Sequence, residues 1–490
     1  MNFSKTKLWA SLPLATSTLV LLSACHSMAP EYAVPVDSSS THFKEQNLTP
    51  QAGWKTAQPA DHYPRGEWWQ VFGDPVLNDL ETRALSENLG LKQALARVQE
   101  ARAYHQGVEA SRLPSVDTGF GPSRERNSQS SSDSAQPGTT YWRAQLNVAY
   151  EADLFGRVSD AIKASGEEAE QSAALFQSVL LALQADVAVN YYQLRSLDAQ
   201  LKVYDDTLKL RQDALSFARS RAEIGQDNQL DLMRAQTELS TTEADSLALK
   251  RARAASEHGL AVLLGQAPAT FDFPAKPIEA ISLKIPEGLP SALLERRPDI
   301  AAAERAMAAA NSRIGVAKSA YFPSLTLTGT AGFEGNTLGE LFQGSSKAFL
   351  LGPLTGTMLH LPLFDGGKRK ADLKNARAVY EEQVAHYRQT VLDALREVED
   401  NLANLRLLEQ QAQAQTLAVN ASKGASRITQ AQYHEGARDY LSVLDADRST
   451  LQAEQSLASL YGEQSISTVR LIRALGGGWD HPTTVIPTNL

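Results

Sequence analysis

Residues 141–154 read Tyr141-Trp142-Arg143-Ala144-Gln145-Leu146-Asn147-Val148-Ala149-Tyr150-Glu151-Ala152-Asp153-Leu154. Trp142, Ala144, Leu146, Val148, Tyr150, Ala152 and Leu154 form an apolar set; Tyr141, Arg143, Gln145, Asn147, Ala149, Glu151 and Asp153 form a mostly polar one. A period of two puts the sets on opposite sides of a sheet. Residues 324–333 repeat the pattern, with Leu325, Leu327, Gly329, Ala331 and Phe333 against Ser324, Thr326, Thr328, Thr330 and Gly332. Val116, Thr118 and Phe120 begin a third strand, and residues 348–363 give a fourth, with blurred alternation and Pro353 inside it. The Ser-rich stretch 127–140 joins the first pair as a loop. An apolar face opposite a polar one fits a transmembrane β-barrel with a wet lumen; it also fits a soluble sheet with one buried face. Four strands cannot close, because outer-membrane barrels need about eight. Open edges in lipid leave backbone groups unpaired at a cost of several kcal/mol each. Strands that meet lipid therefore require oligomerisation, and three copies give twelve strands.

Downstream of this stretch the chain turns helical. No Pro occurs from residue 138 to 267, or from 363 to 481. Because Pro breaks helix interiors, long helices can run in these two places. Each contains a turn signal, at Gly225 and Gly436, followed by polar residues that start a returning helix. The first arm, 157–224, spans on the order of 100 Å at 1.5 Å per residue. Its heptad is Leu180, Val187, Leu194, Leu201, Leu208 and Leu215; the second arm has Val391, Val398, Leu405, Ala412 and Val419. Seven-residue spacing predicts coiled-coil packing. A spectrin-like bundle would account for the hairpins but not for the strands.

The chain also contains itself twice. Leu113-Pro114-Ser115 recurs as Phe322-Pro323-Ser324, and Asp153-Leu154-Phe155-Gly156 as Pro362-Leu363-Phe364-Asp365, both at an offset of 209. Ile224-Gly225 recurs as Glu435-Gly436, and Leu264-Gly265 as Leu475-Gly476, at an offset of 211. Four landmarks in one order imply an internal two-fold repeat. The divisions read as a signal peptide, 1–24; a lipidated N-terminal segment, 25–74; a first repeat, 75–265; a Pro-rich linker, 266–287; a second repeat, 288–476; and a tail, 477–490.

At the N-terminus, Lys5 and Lys7 precede an apolar run from Leu8 to Leu22, too short for a comfortable transmembrane helix. Leu22-Ser23-Ala24-Cys25 then has the form of a lipobox, and Cys25 is the single Cys of the chain. A thioether lipid, with palmitate among its acyl chains, anchors a protein without spanning the bilayer. His26 follows Cys25 where inner-membrane lipoproteins often carry Asp, which favours the outer membrane. No later stretch reads as a long uncharged apolar run, so any crossing must use strands.

Together these segments resemble the outer-membrane efflux family of the TolC/OprM type, in its lipoprotein branch. The matching stretches are Leu22–Cys25, Glu67–Pro75, Glu151–Arg157, Arg296–Ile300, Tyr321–Gly329 and Ala474–Trp479. The resemblance implies an α+β membrane protein: a homotrimer whose twelve-stranded barrel continues into a long α-helical coiled-coil tunnel through the periplasm. It implies a passive exit duct for small molecules such as drugs in a tripartite pump. The partners would be a periplasmic adaptor, an inner-membrane RND-type pump and outer-membrane lipid. In that family a Tyr and an Arg of the second hairpin hold an Asp of a neighbouring first hairpin. The matching residues are Tyr433, Arg438 and Asp231, beside the hairpin tips Gly225 and Gly436. Of the two acidic rings in the family's constriction, Asp445 matches one, while Ser442 stands at the other position.

Other chemistry finds little support. Net charge is −9 with no Lys/Arg-rich stretch, which argues against a nucleic-acid partner. The nine His are scattered without metal-ligand spacing. There is no Gly-x-Ser-x-Gly and no Rossmann fingerprint, hence no enzyme, cofactor or metal reading. Leu363–Lys368 lacks the Gly-Lys-Ser/Thr of a phosphate loop and reads as a strand-to-helix bend. Trp68 and Trp69 read as packing residues. A protein-secretion duct or a metal-ion duct would share the fold. A periplasmic adaptor lipoprotein would show one hairpin within lipoyl-like domains, not two hairpins and two strand pairs.

Overall fold

The computed structural model describes residues 27–35, 44, 66–125, 138–224, 229–278, 297–351 and 359–477. Cys25, Gly225 and the expected signal segment 1–24 lie outside the described residues. The main elements are α1 (Pro75–Glu87), α2 (Leu89–Glu109), β1 (Ser115–Glu125), β2 (Thr139–Ala152), α3 (Arg157–Glu223) and α4 (Gln229–Leu263). There follow α5 (Pro298–Ser319), β3 (Ser324–Gly335), β4 (Lys347–Leu351), β5 (Leu359–His360), α6 (Lys368–His434) and α7 (Tyr440–Ala474). The chain forms two compact units. One holds the described residues of 27–35, 97–173 and 302–388; the other holds those of 44–96, 174–301 and 389–477.

The first unit carries the sheet, ordered β1-β2-β3-β4 and antiparallel throughout, with β5 also paired to β3. The expected fourth strand is thus two pieces on one edge of β3. Pro353, which cannot donate to a ladder, falls between them and outside the described residues. The register aligns the alternation across strands. Val116 lies opposite Val148, and Val148 opposite Gly329. Phe120 lies opposite Ala144, and Ala144 opposite Phe333. The polar rows are bonded: Asn147 Nδ2 donates to Asp117 Oδ1 at 3.0 Å, and Thr330 Oγ1 to Asn147 Oδ1 at 3.1 Å. Arg143 Nε donates to Glu334 at 2.7 Å and its Nη1 to Ser123 at 2.8 Å. Val116, Phe120, Leu146, Leu327 and Phe349 are exposed.

Side-chain caps start the long helices that follow the strands. Asp153 accepts from the backbone N–H groups of Val158 and Ser159 at the start of α3. Asp365 accepts from Gly367 and Arg369 N–H groups at the start of α6. A phosphate would need those same donors, so the bend reading of Leu363–Lys368 holds. Residues 27–35 strap across this unit. Ser27 Oγ donates to Asp160 at 2.5 Å, Tyr32 Oη to Glu304 Oε1 at 2.6 Å, and Asn311 Nδ2 to the Pro30 carbonyl at 2.9 Å. Close approach requires Gly315, where a Cβ would collide with Asp160 Oδ2 and sit 2.7 Å from Ala29 N.

The second unit is built on the coiled-coil stripe. Val187, Leu194, Leu201 and Leu215 of α3 are buried, as are Val391, Val398, Ala412 and Val419 of α6. Leu208 and Leu405 are half-buried. One window of α3 is apolar and charge-poor enough to cross a membrane by length and composition, where the sequence predicts no long uncharged run. Leu181, Leu183, Ala185, Val187 and Ala188 of this helix are core residues, while Leu175 and Val179 are exposed. Asp74 caps α1, accepting from Val76 N–H at 2.9 Å, and Pro75 fills the first helical position. Leu77, Leu80 and Ala84 then pack with Leu260, Leu264, Trp68 and Trp69. Full burial of each Leu contributes roughly 1.5–3 kcal/mol. Trp68 Nε1 donates to Gln184 at 3.0 Å, and both Trp rings are buried, as packing residues should be.

Residues 271–278 of the linker are stitched to the helices. Buried Asp198 accepts from Arg253 Nε at 2.7 Å and from Lys276 N–H at 2.9 Å. Arg195 donates to the Pro274 carbonyl at 2.8 Å and lies over the rings of Tyr191 and Phe273. Arg297 clamps the second hairpin: Nη1 donates to Glu397 at 2.7 Å and to the Ala474 carbonyl at 3.1 Å, closing the end of α7.

Candidate functional site: the hairpin ends

The site is the set of side chains where α3 hands over to α4 and α6 to α7, all within the second unit. At the second turn, Gly436 has φ 76°, which a side chain would strain. Its N–H donates to the Tyr433 carbonyl at 3.0 Å, and Ala437 N–H to the Gln432 carbonyl at 2.8 Å. This pair of bonds is a Schellman cap, the ending that the turn signal predicts. Asp439 then caps α7, accepting from Ser442 N–H at 3.1 Å and from Ser442 Oγ at 2.5 Å. These bonds, with help from the charge of Arg234, hold the Asp439 carboxyl below its usual range. Ser442 is therefore occupied with capping.

Tyr433 is 7% exposed, in a small core with Leu215, Ala218, Ala235, Tyr440, Val443 and Leu444. Its ring lies 6.1 Å from that of Phe217 and 5.5 Å from that of Tyr440, with the Arg221 guanidinium over it at 5.4 Å. Burial pushes the Tyr440 hydroxyl up to about 12, so it stays a neutral donor. Asp231 sits in the first turn of α4, where the helix dipole favours an acid, and pairs with Arg234 of the same helix at 3.1 Å. Arg438 is exposed, and no ion pair joins it to Asp231 among the described residues of one chain. Asp445 projects with its side chain 68% exposed, 3.8 Å from Arg448.

One cluster was not read from the sequence. Glu238 is buried one heptad beyond Asp231. Arg211 of α3 reaches its Oε2 at 2.9 Å, and Arg448 Nε of α7 reaches its Oε1 at 2.9 Å. Arg211 also donates to the Glu238 carbonyl at 2.9 Å and to Thr242 Oγ1. This ion triad joins both hairpins of the chain. A signal was present: Ala235, Thr242 and Ser246 mark the inward stripe of α4, and Glu238 lies on it.

A sequence model described as outer membrane efflux protein matches residues 80–266 and again 289–477. The chain is 34% identical over 474 residues to the toluene efflux pump outer membrane protein TtgF of Pseudomonas putida, covering 96% of this chain and 97% of TtgF. It is 30% identical to the probable outer membrane lipoprotein SilC of Salmonella typhimurium, over 95% and 98% of the two chains. The solved outer-membrane channel OprN superposes with a TM-score of 0.83 at 30% identity, over 92% of this chain and 99% of OprN. The helical hairpins and the sheet are thus those of an outer-membrane efflux channel, and the chain belongs to the outer membrane efflux protein family.

Proposed function

We propose that three copies of this chain close a twelve-stranded barrel in the outer membrane, continuous with a helical tunnel. The assembly is the passive exit duct of a tripartite pump. One observation carries the reading: a sheet four positions wide, with unpartnered outer edges among the described residues and large apolar side chains exposed on one face. In lipid such edges must be paired, and further copies of the same sheet can pair them. The two halves of the chain act as repeats, each supplying a strand pair and a hairpin of 67- and 35-residue helices.

The duct has no energy source. An inner-membrane RND-type pump drives transport, and a periplasmic adaptor joins pump to hairpin ends. Small molecules such as drugs and solvents are the cargo, a class that the name of TtgF supports for that relative. In detergent the protein is expected to sediment as a trimer. A stable, well-folded monomer in analytical ultracentrifugation would refute both barrel and duct.

Cys25 carries the lipid anchor in this reading, two residues before the Ser27 that docks on Asp160. Cys25→Ser is expected to abolish palmitate labelling and to slow maturation, with partial strand insertion retained. Palmitate incorporated into the Cys25→Ser protein would refute the anchor.

A further inference from the structure

We propose that Arg448 sets the charge of the tunnel constriction, being shared between Glu238, which holds it, and Asp445, which it partly neutralises. The proposal rests on the reading that Asp445 lines the constriction.

The geometry is asymmetric. Glu238 is buried, with its side chain 8% exposed, and Arg211 of its own hairpin contacts it from the other side. That half of the triad is shielded from solvent, and two guanidinium groups hold the Glu238 carboxylate in place. Arg448 is 54% exposed and reaches Glu238 with Nε and Nη2, both on Oε1. Its third nitrogen, Nη1, lies 3.8 Å from Asp445 Oδ1, one helical turn back on α7. One guanidinium thus faces two carboxylates, one buried and one exposed. Its planar fork can address both at once, which a Lys ammonium does less well.

The consequence follows from charge. With Ser442 at the other ring position and bonded to Asp439, Asp445 is the acid left to act on passing ions. A cation held 3.8 Å from it reduces the field that the carboxylate presents to the lumen. While Glu238 retains Arg448, Asp445 is only partly compensated. When that contact loosens, Arg448 is free to close onto Asp445. Ion preference in the constriction is thereby tied to the pairing of the two hairpins.

The test is the cation-to-anion permeability ratio of trimers in planar bilayers, from reversal potentials in a KCl gradient. Asp445→Ala should lower the ratio, and Arg448→Gln should raise it about two-fold or more by leaving Asp445 uncompensated. Arg448→Lys should return it only part of the way to wild type, because an ammonium addresses both carboxylates less well. Glu238→Gln should lower it, because Arg448 then closes on Asp445, and this effect should vanish in Glu238→Gln/Asp445→Ala. Arg448→Gln is the deciding variant, since its exposed side chain can be lost without unfolding the helices. A wild-type ratio in Arg448→Gln, with Asp445→Ala still lowered, overturns the role of Arg448. No change in Asp445→Ala overturns the constriction reading and the proposal with it.

Discussion

Glu81→Gln is expected to flatten the pH dependence of stability between about pH 4.5 and 8, and to raise the thermal midpoint at the upper end of that range. Glu81 lies on α1 between Leu77, Leu80 and Ala84, fully buried, and neither carboxyl oxygen has a hydrogen-bond partner among the described residues. Burial alone pushes its pKa from 4.5 up to about 9. The folded protein therefore holds it neutral at pH 7, whereas the unfolded chain ionises it. A folded pKa above the unfolded one gives stability that is complete below pH 4.5 and is lost as pH rises through about 9. By pH 7 the loss is roughly 3 kcal/mol, at 1.36 kcal/mol per unit. Gln keeps the shape without the titration. Thermal unfolding followed by tryptophan fluorescence reports on this region directly, because Trp68 and Trp69 belong to the same core. Parallel pH profiles for wild type and Glu81→Gln would show that Glu81 is hydrated and ionised in the folded state.

Glu81 illustrates what the sequence could not disclose. Local rules made much of the molecule legible. Period-two alternation placed β2 and β3 with their apolar faces in register, since a slip of one residue would invert every side chain. The heptad of α3 marked Val187 and Leu194 as core, and Gly436 marked the end of α6, because helical geometry is short-ranged. The ion triad and the stitching of residues 271–278 depend instead on side chains far apart in sequence. Glu238 meets Arg211 and Arg448 through the packing of three helices, and no local spacing encodes that meeting. The apolar window of α3 shows the converse, since a helix with a buried apolar stripe and a membrane span look alike by composition. At the candidate gate, a single chain satisfies Asp231 with Arg234 and buries the ring of Tyr433. In the proposed trimer, contacts between copies complete this site.

Those contacts bear the largest functional prediction. We infer that Arg438, with Tyr433, holds Asp231 of a neighbouring copy and so closes the periplasmic end of the tunnel. Arg438 has the exposure and the fixed fork that carboxylate pairing needs, two residues past the Gly436 cap. Asp231 must then divide itself between Arg234 and the incoming guanidinium, which keeps the contact weak. An exposed ion pair stabilises by roughly 1 kcal/mol or less, and three copies by a few kcal/mol at most. Binding of an adaptor can overcome a bias of that size, whereas a buried clamp would resist it. Arg438→Ser combined with Tyr433→Phe is therefore expected to raise single-channel conductance several-fold in planar bilayers. Phe keeps the ring packed against Phe217 and Tyr440, and Ser replaces an exposed side chain, so folding and trimerisation should be unaffected. Raised salt should shift wild type toward the mutant, because screening weakens the same pair. A trimeric double mutant with wild-type conductance would mean that these residues are ordinary helix-end polar groups and that the tunnel is closed elsewhere.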